Sequence, residues 1–365
     1  MKPDQRRPIR VFAHLAHDKD VRQWRAACAS GALVGHNDDT PYGYGRASHM
    51  GCDVTFPGPS ARGHLGQLCR LGLRLGLGFD LAHAWRQRDA LMASDVVWTH
   101  TESQFLAAAV VLGARPHGPK LIGQAVWLYD RWPRIPAPQR ALYRRLVERV
   151  DVLTTLSPLN AAAARALFPG KRVEVVPFGI PSEGARAPRT RRMGPCRVLA
   201  LGNDRHRDWA TLVTALRDVP GVELEILSQT APARLAGGAG NVRIRPARTN
   251  AELRAAFDRA TMVAVPLFPN LHASGITVIQ EAVLSGLPVV ATDTGGLRFY
   301  FGADAVTYVP PQDPAALQRA IGDVREGHAR AEAMARRAQA RMVEGGLDAE
   351  GYVRRYVELS EDILP

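Results

Sequence analysis

The stretch from Asn270 to Gly296 contains the residues of this chain whose types and spacing are best suited to chemistry. It follows the apolar run Met262–Phe268, so the chain is predicted to pass from a strand through a small-residue loop into a helix. Ser274 and Gly275 leave the backbone open at the start of that helix. Free N–H groups and the positive end of the helix dipole attract phosphate at such a point.

The same predicted helix carries an acidic residue one turn beyond this loop. Thr277 and Glu281 are four residues apart and therefore share one face. A carboxylate at this distance is badly placed for phosphate but well placed to accept hydrogen bonds from ribose hydroxyls. The pattern predicts a site for a nucleoside diphosphate. An ordinary βαβ unit with an incidental glutamate is the alternative.

The second half of the stretch resembles a known family signature. Glu281-Ala282 and Gly286-Leu-Pro-Val-Val-Ala-Thr-Asp-Thr-Gly-Gly296 are similar to the signature of the family-4-type retaining glycosyltransferases, which have the GT-B fold. That family has an earlier glutamate, which usually contacts hydroxyls of the donor sugar, at the position that is Ala273 here. His272 or Asn270 would supply a substitute contact, and the departure leaves the identity of the donor sugar open.

The resemblance implies an enzyme that transfers a sugar with retention from a nucleoside-diphosphate sugar. The acceptor would be a glycan or a lipid-linked saccharide, as in polysaccharide biosynthesis. We expect UDP rather than GDP in the donor, no further cofactor and no metal. Two other functions of the same fold stay open, a sugar-nucleotide epimerase and a non-catalytic protein that binds nucleotide sugars or glycans. The donor contacts implied around the helix start come from His272, Ser274, Gly275, Ile276, Thr277 and Glu281.

Length and composition indicate a globular protein with two domains. The chain has 365 residues, of which 46% are hydrophobic and 22% are charged. No apolar run approaches the roughly 20 residues that span a bilayer. The four cysteines are widely spaced, which argues against a disulfide framework or a zinc site. Because the N-terminus also lacks a signal-peptide core, we expect a cytoplasmic protein.

Basic residues are concentrated in the first half of the chain. Residues 1–180 contain 24 Lys and Arg against 14 Asp and Glu, a balance of +10. Residues 181–365 contain 23 against 21, a balance of +2. A basic half indicates an anionic partner, for which we expect the inner face of an anionic membrane and no nucleic acid. GC-rich coding that favours arginine is the alternative explanation.

Short apolar runs alternate with helix-length segments, a pattern that predicts βαβ units and parallel sheets in an α/β protein. The polar stretch 181–195 separates two such series and is predicted to be a linker. The resemblance implies the GT-B fold, with two Rossmann-like domains facing across a cleft. Residues 1–180 would form the acceptor side and 196–345 the nucleotide-sugar side, with a final helix within about 346–365 crossing back onto the first domain. The strand candidates are Ile9–Leu15, Asp53–Phe56, Asp95–His100, Lys120–Val126, Asp151–Ser157, Val173–Gly179, Cys196–Gly202, Val222–Ser228, Val242–Ala247, Met262–Phe268, Leu287–Asp293 and Ala305–Val309.

Two arginines follow the first predicted strand of the second domain. The strand ends at Gly202, and a helix is predicted from about Trp209. In the related enzymes this loop supplies cations that bind the donor diphosphate, so the resemblance implies a catalytic role for Arg205 and Arg207. Guanidinium groups suit bidentate phosphate contact and stay charged. The division of roles between the two stays open, and solvated loop charges are the alternative.

The first domain contributes further candidates after its first strand. Gly43 and Gly45 lie where family members carry a glycine-rich loop that approaches the donor, although a simple turn explains them equally well. Asp18 is expected on the acceptor side. Asp18-Lys-Asp20 formally matches an Asp-x-Asp metal motif, but that motif belongs to a different, single-domain transferase fold, so we expect no metal site.

Polar residues also end two later strands of the first domain. His100 and Glu102 follow a buried strand at the edge where ligands of open α/β sheets bind, and we expect His100 to be catalytic and Glu102 to contact the acceptor. Gln124 or Trp127 stands nearest to the position where family members present a histidine. Both are predicted acceptor contacts, with the domain interface as the alternative for Trp127.

The segment Gly63–Phe79 is rich in leucine and contains Arg70 and Arg74. A leucine-rich face that bears arginines would suit an anionic membrane surface. A helix packed against the core, with its arginines on the solvent side, is the alternative.

Overall fold

The computed structural model describes residues 7–58, 64–113, 117–188 and 194–365. The chain divides into two compact units. The first unit consists of the residues up to Ala26, Asp39–Pro177 and Glu350–Pro365. The second consists of Ala27–Asp38 and Phe178–Ala349, so a short segment from the N-terminal part of the chain belongs to the second unit.

The first unit is built on a sheet of six parallel strands. Its central strands are buried on both faces, as expected when helices cover both sides of a parallel sheet. The spatial order is β2-β1-β3-β4-β5-β6. The strands are β1 (Ile9–His14), β2 (Cys52–Thr55), β3 (Val96–Thr99), β4 (Lys120–Gln124), β5 (Val152–Thr155) and β6 (Val173–Val175).

The helices of this part of the chain alternate with the strands. Most of the apolar α5 is buried against the sheet, and Pro41–Met50 forms a 3-10 segment. The α-helices are α1 (Val21–Ala29), α2 (His64–Leu77), α3 (Leu81–Arg86), α4 (Arg88–Ala93), α5 (Glu102–Leu112), α6 (Leu128–Arg131), α7 (Ala137–Val147) and α8 (Pro158–Leu167).

The second unit contains another parallel six-stranded sheet, in the order β12-β11-β10-β7-β8-β9. This is the Rossmann strand order, and its direction reverses between β7 and β10. The strands are β7 (Cys196–Leu201), β8 (Val222–Leu227), β9 (Val242–Arg245), β10 (Met262–Val265), β11 (Val289–Thr292) and β12 (Thr307–Val309). The helices are α9 (Trp209–Leu216), α10 (Asn250–Arg259), α11 (Ile276–Leu284), α12 (Leu297–Tyr300), α13 (Pro314–Glu326) and α14 (His328–Glu344), followed by α15 (Ala349–Ile363).

Each of the twelve predicted strands is present, and the differences lie at the strand ends. The run Met262–Phe268 was expected to be extended throughout, but β10 ends at Val265, before Pro266. Similarly, β6 ends at Val175, two residues before Pro177. Proline lacks the N–H that would continue the ladder, so the pairing stops although the apolar run goes on.

The helix α15 packs in the first unit, apart from its first residue. The Gln124 side chain holds it to the sheet, since its Oε1 accepts hydrogen bonds from the hydroxyls of Tyr352 and Tyr356, both at 2.8 Å. The Trp98 indole N–H donates to Ser360 Oγ at 2.8 Å. These buried polar contacts fix the position of the helix along β3 and β4.

The structure corrects the expected orientation of the leucine-rich segment. In α2, Arg70 is only 7% exposed and donates to Asp80 Oδ2 at 2.5 Å, while Leu68 and Leu75 are exposed. Neither the arginine-bearing outer face nor the alternative with solvated arginines is therefore right for Arg70. Arg74 does lie exposed. Among the described residues, no helix has the length and apolarity needed to cross a bilayer.

We predict that Gln124→Leu destabilises the first unit by about 1–3 kcal/mol, because two buried tyrosine hydroxyls lose their shared acceptor. Amide hydrogen exchange should show loss of protection in α15 in particular. Gln23→Leu, on an exposed position of α1, is the matched control. Unchanged protection of α15 in the Gln124 variant would contradict the anchoring role.

Candidate functional site

Two loops of the second unit meet where the strand order reverses. One follows β7 and includes residues 202–208, and the other follows β10 and includes residues 266–275. The loops are joined by backbone hydrogen bonds, from Phe268 N–H to the His206 carbonyl at 2.8 Å and from Asp208 N–H to the Pro266 carbonyl at 3.1 Å. Ligands of open α/β sheets bind at this position, at the carboxyl ends of the strands.

The Asp204 carboxylate fastens the two loops together. It accepts hydrogen bonds from Ser274 Oγ at 2.7 Å, from His272 Nε2 at 3.1 Å and from the His206 N–H at 3.0 Å. Burial alone would raise the pKa of Asp204, but these hydrogen bonds outweigh burial and hold that pKa well below its usual range. Asp204 therefore stays ionised and orients Ser274 and His272.

The guanidinium of Arg207 lies between two glycines. A Cβ on Gly202 would stand 2.3 Å from Arg207 Nε, and one on Gly275 would stand 2.6 Å from Arg207 Nη1. Arg207 is 7% exposed, and its Nε and Nη1 have no hydrogen-bond partner among the described residues. Burial lowers the pKa of Arg207 to about 10, which still leaves the side chain charged at neutral pH. A buried cation with two unpaired donors is suited to an anionic ligand.

The backbone at the start of α11 is only partly available to a ligand. The Ser274 N–H donates to Asn270 Oδ1 at 3.2 Å, and the Ile276 N–H donates to the Ala273 carbonyl at 3.2 Å. The N–H groups of Gly275 and Thr277, in contrast, have no partner in the described part of the chain. Of the predicted run of phosphate-binding amides, these two remain open beside Arg207.

The predicted face of α11 carries Thr277, which is exposed, and Glu281, which is largely buried one turn further on. Glu281 Oε1 accepts a hydrogen bond from the His36 N–H at 2.8 Å. Burial raises the pKa of Glu281 to about 7, although the His36 N–H and the Arg207 charge oppose this shift. The carboxylate lines a cavity of about 320 Å³, together with Gly35, His36, Asn250, Arg254 and Phe257 among others.

The two predicted cationic residues have different surroundings. Arg205 is exposed on the loop, whereas Arg207 is buried between the glycines. An exposed arginine binds phosphate only weakly because water screens its charge. Of the two arginines, Arg207 is therefore the one whose surroundings suit an anionic ligand.

In the first unit, His100 is enclosed by tyrosines. The Tyr42 ring stacks on the His100 ring with 3.4 Å between centroids, and the hydroxyls of Tyr44 and Tyr352 lie 3.3 Å from His100 Nδ1. Burial lowers the pKa of His100 to about 3, so the ring is neutral at physiological pH. His100 therefore packs and hydrogen-bonds within the first unit. Its expected catalytic role stays a prediction.

The predicted acceptor contacts divide into buried and exposed residues. Gln124 is saturated by the two tyrosines of α15 and by its own bond to the His100 carbonyl, and Glu102 Oε2 accepts from the N–H groups of Val126 and Trp127. Both side chains therefore help to hold the first unit together, and their assignment as acceptor contacts stays a prediction. Asp18 and Trp127 are exposed, and Trp127 is 38% accessible.

The two glycines of the predicted donor loop are bound within their own segment. The Gly43 N–H donates to the Thr40 carbonyl at 3.1 Å, and the Gly45 N–H donates to Thr40 Oγ1 at 2.9 Å. Tyr42 has a φ of 58°, a left-handed conformation that Gly43 continues. The amides of these glycines are thus engaged in shaping the 3-10 segment.

Two residues of the site were not identified from the sequence. Asp204 orients the two loops, and the His36 N–H lies against Glu281. For Asp204, the signal was a carboxylate two residues after the strand-ending Gly202. For His36 no local signal exists, because it meets Glu281 across 245 residues of sequence.

We predict that the pKa of Glu281 makes the second unit less stable as the pH rises. The group is protonated below its ordinary pKa of 4.5 in both folded and unfolded chains, and its contribution to stability is lost as the pH rises through about 7. Glu281→Gln should remove this loss, and the variant should therefore gain about 1–3 kcal/mol relative to the wild type between pH 5 and pH 8. Urea unfolding of both proteins at each pH measures the difference.

Histidine titration affects both proteins alike and cancels in this comparison. Glu344→Gln, at an exposed position of α14, is the matched control and should show the same pH dependence as the wild type. A difference between Glu281→Gln and wild type that does not change with pH would show that the carboxyl group is ionised throughout.

Part of the second unit matches a known protein family. Residues 198–326 match the family model described as Glycosyl transferases group 1. No curated protein sequence matches the chain significantly.

Solved structures resemble the chain over nearly its whole length. A sucrose-phosphate synthase from Thermosynechococcus elongatus gives a TM-score of 0.72 at 17% identity, covering 97% of this chain and 99% of that one. Anabaena HepE in complex with UDP and glucose gives 0.68 at 15% identity, covering 98% and 100%. An alpha,alpha-trehalose-phosphate synthase (UDP-forming) from Burkholderia vietnamiensis gives 0.63 at 13% identity, covering 98% and 99%.

These likenesses show the fold, and the family model matches a stretch that lies within the second unit. The resemblance first seen in Glu281–Gly296 is confirmed. The chain has the GT-B fold, and residues 198–326 of its second unit match the group 1 glycosyltransferases, which supports a transferase enzyme.

Proposed function

We propose that the chain transfers a sugar with retention from a nucleoside-diphosphate sugar to a glycan or a lipid-linked saccharide. The observation that carries this proposal is the unpaired, buried guanidinium of Arg207, held between Gly202 and Gly275 at the start of α11. A diphosphate leaving group supplies the negative charge that this position lacks. A buried cation is costly unless it is paired, and an anionic ligand would provide the missing partner.

Arg207 and the open amides of Gly275 and Thr277 would stabilise the charge that develops on the departing phosphate. Donors that are fixed before the reaction act strongly because no reorganisation is needed as charge develops. Since protein groups provide this stabilisation, we propose a reaction that does not depend on a metal. Glu281, in its ionised form, would accept hydrogen bonds from the ribose after displacing the His36 N–H.

Retention follows in this proposal from attack of the acceptor hydroxyl on the face from which the phosphate leaves. A double displacement would need a free carboxylate as nucleophile. The two loops contain Asp204, whose oxygens are already occupied by Ser274, His272 and His206, and Asp208, whose oxygens accept from Thr211. No carboxylate stands in the loop 266–275 either, because the family's first glutamate is replaced by Ala273.

We further propose UDP as the nucleotide and the cytoplasm as the location. Anabaena HepE has been solved with UDP and glucose, and the trehalose-phosphate synthase from Burkholderia vietnamiensis is UDP-forming. The four cysteines are free thiols, which suits a reducing compartment. Polysaccharide biosynthesis would supply acceptors of the proposed class.

Incubation with UDP-glucose, UDP-N-acetylglucosamine and GDP-mannose, with and without glycan acceptors, tests the proposal. NMR of the product should show the anomeric configuration of the donor. Release of UDP with retention supports the proposal, and an inverted product contradicts the mechanism. Isomerised sugar nucleotide would indicate the epimerase, and binding without turnover would indicate a non-catalytic protein.

We predict that Arg207→Met lowers turnover by about 10²–10³-fold, because charge stabilisation of the leaving group is lost. Thermal stability should not fall, since the removed charge is buried and has two unpaired donors. Arg205→Met, which removes an exposed charge from the same loop, is the matched control and should retain nearly full turnover. Equal losses in both variants would contradict the assignment of the leaving-group role to Arg207.

We also predict that Gly202→Ala weakens UDP binding measured by calorimetry, because the new methyl group would displace the Arg207 guanidinium. Gly238→Ala is the matched control. Gly238 also has a positive φ, of 79°, but a Cβ there meets no atom within 4 Å, so both variants strain the backbone and only the first moves Arg207. Equal UDP affinities in the two variants would show that the position of Arg207 is not needed for binding.

A further inference from the structure

The helix α2 exposes an unusual number of apolar side chains. Leu68 is 65% and Leu75 83% exposed, and Leu71 and Leu73 are also exposed. Single exposed leucines are common on protein surfaces, but Leu68, Leu71 and Leu75 are spaced by three and four residues and therefore share one side of this 14-residue helix. Such a face marks an interaction surface.

The polarity of α2 is inverted relative to a helix of a globular protein. Its inner side carries the ion pair between Arg70 and Asp80. Its C-terminal turn is fixed to α7, because the Gly76 carbonyl accepts from Gln139 Nε2 at 2.6 Å and the Leu77 carbonyl accepts from the Tyr143 hydroxyl at 2.8 Å. Polar contacts therefore attach α2 to the first unit, and its apolar side faces the solvent.

The glycines of α2 do not serve close packing. A Cβ on Gly72 or Gly76 would meet no atom within 4 Å. Glycine lowers helix propensity, and here no close approach of another element requires it. The exposed leucines of α2 keep much of their surface in water. Transfer of their side chains from water to an apolar environment would lower the free energy of this surface.

Aromatic and basic residues flank the exposed leucines. Trp85 of the adjacent helix α3 is 57% exposed, and the Arg88 guanidinium lies 5.9 Å from the centre of its ring. Arg74 and Arg86 are exposed as well. Helices that lie in a membrane interface have this composition: leucines that enter the acyl-chain region, and tryptophan and arginine that contact the lipid headgroups.

We propose that Leu68, Leu71, Leu75 and Trp85, here called the leucine ridge, dock the first unit on an anionic lipid bilayer. The charge of the chain favours this partner over a second copy. Residues 1–180 carry a balance of +10, which attracts anionic headgroups but would repel the same surface of another molecule. The inference goes beyond glycosyl transfer, because docking requires neither donor nor acceptor.

Co-sedimentation with vesicles of equal parts phosphatidylglycerol and phosphatidylcholine tests the docking. The wild type should bind, with an affinity that falls as salt is added, and should bind pure phosphatidylcholine much more weakly. Leu68→Ser/Leu75→Ser should partition about tenfold or more less into the anionic vesicles. Leu159→Ser/Val343→Ser, which changes two exposed apolar residues on α8 and α14, is the matched control and should bind like the wild type.

A second measurement identifies the face directly and leaves the leucines intact. Cys69 is exposed on α2, whereas Cys52 and Cys196 are buried, so Cys28→Ser leaves one accessible thiol for a polarity-sensitive fluorophore. Emission from the label on Cys69 should shift to the blue on the anionic vesicles and be quenched by brominated lipid. Sedimentation without such a shift would overturn the assignment of the leucine ridge.

The remaining outcomes also decide the proposal. Absence of binding by the wild type at low salt, or equal binding by the leucine variant, would overturn it. Self-association of the wild type in ultracentrifugation that is lost in the leucine variant, without vesicle binding, would assign the ridge to a second copy instead. Because vesicle binding is measured without nucleotide sugar, its failure would leave the proposed transferase reaction untouched.

Discussion

The candidate site of the second unit depends on the carboxylate of Asp204, which accepts three hydrogen bonds and joins the loops after β7 and β10. With His272 and Ser274 held by this group, Gly275 is brought against the guanidinium of Arg207 from one side while Gly202 lies on the other. The loops leave Arg207 little freedom to reach a partner of its own. All the hydrogen bonds of the Asp204 carboxylate are thus made within the two loops, whereas two donors of the Arg207 guanidinium have no partner among the residues that the structure describes. This difference leaves the positive charge of Arg207 available to an anion.

The strands and the helix α11 could be predicted because their signals are local. An apolar run bounded by glycine or proline predicts a buried strand without reference to distant residues. Thr277 and Glu281 share a face because of helix geometry alone. The predicted strand ends were wrong where proline interrupts an apolar run, as at Pro266. Apolarity specifies burial, whereas pairing depends on available N–H groups.

The roles of individual polar residues depended on partners distant in sequence. Gln124 at the end of β4 has the position of a ligand-binding residue, but Tyr352 and Tyr356 of α15 take its oxygen. Arg70 was predicted to be outward because arginine is usually solvated, yet Asp80 draws it inward and turns the leucines out. Arg205 and Arg207 are equivalent in sequence and differ only through the glycines that enclose one of them. The sequence thus identifies side chains that are able to bind a ligand. Contacts with residues distant in sequence decide whether those side chains are available to a ligand.

The closing of the first unit by α15 has a consequence for the order in which the protein assembles. The strands β1–β6 leave the ribosome first, but Trp98 and Gln124 meet their hydrogen-bond partners only when Tyr352, Tyr356 and Ser360 have been synthesised. The whole sheet of the second unit, β7–β12, is made in between. During vectorial synthesis the later unit can therefore complete its sheet while the earlier one still holds an open, hydrated groove along β3 and β4. The packing of the first unit can therefore be completed only after the sheet of the second unit has been translated.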